Sequence, residues 1–140
     1  MARDLPLASD EATRLRMERQ RQADTAPELL VRRLLHRLGH RFRIGNRDLP
    51  GSPDAANRTR RWAVFVHGCY WHQHPECPRA TVPKRNREFW EEKFRANRER
   101  DEQVTAELEI RGFTVLTVWE CETEDSGALA ERLSGELPQS

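Results

Sequence analysis

Fourteen residues, VFVHGCYWHQHPEC at positions 64–77, hold three histidines, two of the chain's three cysteines and two adjacent aromatics. Cys69, His74 and Cys77 are spaced closely enough for one loop to wrap a tetrahedral ion. Cys121 follows an apolar, β-prone run at 113–119 and completes a Cys3His zinc site if that run lies beside residues 62–66. Four protein ligands leave no open coordination position, so such a site is structural. The competing reading makes Cys69 and Cys121 small buried hydrophobes and Cys77 a surface thiol. His67 and His72 remain, on either side of Tyr70 and Trp71. A neutral imidazole at the mouth of a strand can take a proton from water near neutral pH. Asp54, after LPGSP, offers a carboxylate that can hold Mg2+ just ahead of residues 62–66.

Composition narrows the partners. The chain has 140 residues, 36% hydrophobic and 34% charged, which is enough apolar content for one folded domain. There is no basic-then-apolar leader and no apolar run near the roughly 20 residues of a membrane span. A soluble, cytoplasmic protein without membrane partners is expected, with cysteines kept reduced. The net charge of +1 conceals an asymmetry. Residues 1–100 hold 22 Lys+Arg against 13 Asp+Glu, whereas residues 101–140 hold 2 against 10. Because the basic part is almost all arginine, it favours a polyanion such as nucleic acid.

Several elements must position these groups. Residues 10–22 form a charged arm or short helix, and residues 1–24 are assigned to an N-terminal DNA-binding arm ahead of a single zinc-stapled domain at 25–140. In TAPELLVRRLLHRLG, Thr25 and Glu28 have capping-box spacing, Leu30, Leu34 and Leu38 form one stripe, and Gly39 can end the helix. HRFRIG at 40–45 alternates like a half-buried strand, and WAVFV at 62–66 reads as a central strand. AANRTRR, between Asp54 and that strand, is a poor strand itself. A long helix is predicted from Asn86 to Arg111, closed by Gly112. Its apolar face of Trp90, Phe94, Val104 and Leu108 is interrupted by Asn97 and Asp101. A buried strand at 113–119 and a helix over 126–137 complete an α/β order with a mixed sheet flanked by helices.

As a set, these residues resemble the very-short-patch repair (DNA mismatch) endonucleases, zinc-containing members of the restriction-endonuclease-like fold. The likeness runs from about Ala12 to about Leu133, through ATRLRM, PELLVRRLL, LPGSPD, VFVHGCYWHQH, PKRNREFWEEKFRANRERD and GFTVLTVWEC. It implies a bacterial enzyme, nucleoid-associated in use, that nicks one strand at T:G mismatches left by deamination of 5-methylcytosine. It further implies Mg2+ held by Asp54 and the Val66 carbonyl, and His72 as the group that activates water. His67 would lie near the scissile phosphate, with Glu28 and Asp101 completing the polar network. Cys69, His74, Cys77 and Cys121 match the zinc ligands. Tyr70 and Trp71 match an aromatic wedge beside the mismatch, and Met17 an apolar residue of the arm. Arg14 and Arg16 of the arm are expected at the DNA backbone. A monomer is expected, working with other mismatch-repair proteins and a DNA polymerase downstream.

Two other classes share part of this pattern. A silent zinc-containing DNA-binding module needs the ligands and the basic face but not His72 and Asp101. A sequence-specific restriction nuclease needs the fold and Asp54 but not the aromatic pair.

Overall fold

In the computed structural model, which describes residues 24–138, the first helix, α1, spans Ala26–Arg37. Thr25 is its N-cap, its side chain accepting from the Glu28 N–H, and Pro27 occupies the first turn, where its missing N–H costs nothing. Gly39, at φ +85, ends it in the left-handed region. Val31, Leu34 and Leu35 are the buried face.

Three strands form one sheet in the order β1 (Ala55–Asn57), β2 (Trp62–His67), β3 (Thr114–Trp119). The pairing is antiparallel between β1 and β2 and parallel between β2 and β3, so the sheet is mixed. As the continuous apolar run predicts, β2 is central and buried on both faces. Its Trp62, Val64 and Val66 point toward α1 and the closing helix α3 (Ser126–Glu136), with Leu129 and Leu133 in the same core. The alternate residues Ala63 and Phe65 pack with Leu108 of the long helix α2 (Arg87–Ile110). His67 continues that second series beyond the core. The parallel pairing requires a crossover, and α2 supplies it.

Two local expectations change. HRFRIG is not a strand; its only ladder contact is an isolated bridge between Arg43 and Ala56. Gly45, at φ +70, turns the chain, and the buried Asn46 side chain donates to the carbonyls of Arg43 and Pro53 at 2.8 and 3.1 Å. Ile44 is therefore left half-exposed rather than on a buried face. The weak AANRTRR segment does pair, but for three residues only, before turning into β2. The assigned arm, with Arg14, Arg16 and Met17, lies outside the described residues except for Asp24.

The loop carrying Asp54 is held by close packing at Gly51. This glycine sits at φ +72, and a Cβ there would lie 2.4 Å from Val104 Cγ1 on α2 and 3.2 Å from Phe65 Cε1. Gly51→Ala is expected to destabilise the fold by about 1–3 kcal/mol through backbone strain and overpacking. Chemical denaturation of the variant beside the wild type checks this, and an unchanged midpoint would contradict it.

Candidate active site and metal centre

Asp54 lies just before β1, where the backbone has begun to leave the ladder. Its N–H still donates to the Val64 carbonyl at 2.9 Å, while its Oδ2 accepts from the Val66 N–H at 2.6 Å. The side chain thus replaces a missing rung of strand pairing and fixes the carboxylate beside Val66. Burial pushes its pKa up to about 6, against the lowering effect of the Val66 N–H. A carboxylate in this position gains from a cation beside it.

The long helix explains its polar interruptions here. Asp101 Oδ2 lies 2.8 Å from His72 Nδ1, and the Asn97 side chain donates to the Trp71 carbonyl at 3.5 Å. Both therefore dock the 68–77 loop instead of simply meeting solvent. With Asp101 accepting at Nδ1, His72 keeps Nε2 as its basic nitrogen. The His67 and His72 rings stack in parallel, their centroids 3.8 Å apart, and Trp119 lies edge-on to both. Burial pushes His67 down to about 4, with the charge of His72 acting in the same direction, so His67 is neutral at physiological pH. Asp54, Val66, His67, His72, Glu28 and Asp101 all line one cleft of about 660 Å³. Glu28 enters through the α1 cap, accepting from the Asp24 N–H at 2.9 Å.

On the other side of the loop, Cys69, His74, Cys77 and Cys121 bring one ligand atom each within 4.8 Å of one another. His74 Nδ1 is 3.7 Å from Cys69 Sγ and 3.5 Å from Cys121 Sγ. A tetrahedral zinc with ordinary bond lengths sets a nitrogen-to-sulfur edge of about 3.6 Å, so the donors fit that ion. Burial pushes the Cys69 thiol up to about 12, a cost that a divalent cation at the centre would offset for the thiolate. Trp119 stacks on His74 at 4.2 Å and aims it, while Cys121 follows in a short 3-10 turn at Glu120–Glu124. Glu120 ties the turn back by accepting from the Cys69 N–H at 3.2 Å.

The aromatic pair divides. Tyr70 is buried, 2% exposed, in a cluster with Trp90 and Phe94, so it does not stand out as half of an exposed wedge. Trp71 is half-buried against the same cluster, with Lys93 Nζ 5.4 Å from the centre of its ring.

The sequence model of the family described as DNA mismatch endonuclease Vsr matches residues 8–79. A type II nicking enzyme of Xanthomonas oryzae, V.XorIIP, is 45% identical over 94% of this chain and 96% of its own length. The DNA mismatch endonuclease Vsr of Escherichia coli is 41% identical over 89% of this chain and 83% of its own. A further type II nicking enzyme, V.NmeAIP of Neisseria meningitidis, is 41% identical over 79% of both. The chain belongs to the Vsr family.

A Vsr-family protein is a DNA endonuclease, which gives DNA as the partner of this chain. Among the described residues, no helix is long and apolar enough to cross a membrane. The structure also gathers residues that the sequence reading left out. Arg32 and Arg100 line the cleft, Asn46 braces the Asp54 loop, and Trp119 orients three histidines. Arg32 had a local signal, its i,i+4 spacing from Glu28. Trp119 had none, because its partners lie some fifty residues away in sequence.

Proposed function

We propose that this Vsr-family chain is a Mg2+-dependent endonuclease that nicks one strand at T:G mismatches, with zinc as a structural ion. The observation that carries the reading is the cleft itself, where the buried Asp54 carboxylate and the Asp101-held His72 line one wall-to-wall space. His72 Nε2 takes a proton from water as the water oxygen bonds to phosphorus and the bond from phosphorus to the leaving sugar oxygen breaks. Asp101 stabilises the imidazolium that results. His67, neutral and stacked on His72, limits the ring's orientation. Asp54 and the Val66 carbonyl would hold Mg2+, which supplies charge neutralisation at the phosphate and the leaving oxygen.

Choice of a mismatch rests on Trp71. A T:G wobble keeps two hydrogen bonds, so unpairing distinguishes it weakly, whereas a wedge samples how easily the step unstacks. Tyr70, Trp90 and Phe94 form a rigid platform behind Trp71, and Met17 of the arm serves from the other groove. A nicking assay on matched and T:G duplexes, with Mg2+ or with chelator, tests the whole reading. Metal-independent binding without nicking would favour the silent module, and equal nicking of matched duplexes at one sequence would favour a restriction nuclease. Trp71→Ala is expected to cost on the order of tenfold or more in T:G nicking, while salt-sensitive binding to matched DNA changes little. Arg14→Ala with Arg16→Ala is expected to weaken both duplexes alike. An unchanged T:G preference in Trp71→Ala would remove the wedge from recognition.

A further inference from the structure

Arg32 is a part-buried cation in the cleft to which the mechanism above gives no task. It stands on α1 four residues after Glu28, with its side chain 20% exposed. Its Nη1 lies 2.8 Å from an Asp24 carboxylate oxygen and its Nη2 lies 3.7 Å from Glu28. Its Nε is buried and has no hydrogen-bond partner among the described residues. A buried guanidinium donor left unmatched is costly unless some state of the protein supplies an acceptor. Three arginines line this cleft; Arg47 and Arg100 are exposed at its rim, and Arg32 is the part-buried one. The same cleft carries the carboxylates of Asp24, Glu28, Asp54 and Asp101, which would repel a phosphodiester without a cation among them. The charge of Arg32 already acts on Asp54, favouring its carboxylate form.

We propose that Arg32 is a further catalytic residue, whose guanidinium donates to a non-bridging oxygen of the phosphodiester being cleaved and gives its unmatched Nε an acceptor. The inference rests on the nuclease reading above. Asp24 remains the counter-ion at Nη1, and the phosphate meets the fork along its Nε and Nη2 edge. Arg32 transfers no proton and stays charged throughout. Its hydrogen bonds strengthen as the equatorial oxygens gain charge, so its contribution falls on the chemical step more than on binding. The planar fork matters because it meets two phosphate oxygens at once, which an ammonium cannot do.

The test is single-turnover nicking of a T:G duplex by the full chain with Mg2+, alongside duplex affinity and thermal midpoint. Arg32→Ala is expected to nick on the order of 100-fold more slowly, with affinity within about threefold of wild type. Guanidinium ion at millimolar concentration is expected to recover about tenfold of that loss and to leave the wild type unaffected. Arg32→Lys keeps a charge beside Asp24 and Glu28, so it is expected to fold like the wild type yet nick about tenfold more slowly. Wild-type rates in either variant, or a loss that guanidinium ion leaves untouched, overturn the assignment. Absence of nicking by the unaltered protein overturns the nuclease reading, and this assignment with it.

Discussion

Asp54→Asn is expected to lower single-turnover nicking of a T:G duplex by about three orders of magnitude, the effect of losing several kcal/mol of metal-based charge stabilisation. The amide keeps the shape of the carboxylate and can still accept from the Val66 N–H, so the loop should stay in place. Because burial raises the pKa of Asp54 to about 6, its ionised form carries a desolvation cost at neutral pH that the amide does not. The sign follows from linkage: the folded state holds this proton more tightly than the unfolded chain, so the penalty is complete above about pH 6. The variant should therefore melt no lower than the wild type at pH 7.5 while failing to nick. Single-turnover rates and calorimetry on the same preparation check both halves. Nicking within tenfold of wild type would move the metal and the chemistry away from Asp54.

Loss of the tetrahedral metal is the largest effect expected on stability. Cys121→Ser should purify without stoichiometric zinc and lose more than about 5 kcal/mol, on the scale of a small domain's entire stability. The reason is geometric. Cys69, His74 and Cys77 belong to the 68–77 loop, while Cys121 belongs to the turn after β3, so an ion held by all four would bond two segments. Without it the Cys69 thiol stays buried, and the loop that carries Trp71 and His72 is left to the Tyr70 packing, the ring stacking on His67 and Trp119, and the Asn97, Asp101 and Glu120 contacts. Elemental analysis together with melting in strong chelator decides it. A protein that contains no zinc and melts unchanged in chelator would return the cysteines to the role of buried hydrophobes.

The helices at 26–37 and 87–110 and the strands at 62–67 and 114–119 were legible because their signals are local: caps, apolar spacing and closing glycines lie within one turn or one pleat of what they govern. The same local logic misplaced a strand at HRFRIG, since alternation cannot report that Asn46 takes two backbone carbonyls and Gly45 turns the chain. Residue types and spacing by themselves brought out Cys69, His74 and Cys77 as ligand candidates, with Cys121 added on the condition that its strand lies beside residues 62–66, and Asp54, His67 and His72 as candidates for chemistry. Tertiary structure alone decided which groups face each other: Asp101 on His72, Asn97 on Trp71, Trp119 on His74, Tyr70 buried with Trp90 and Phe94, and Arg32 in the cleft with its unmatched donor. Each of those contacts except that of Arg32 joins residues far apart in sequence, and packing between elements, which no local periodicity encodes, is what chooses among the partners a side chain can reach.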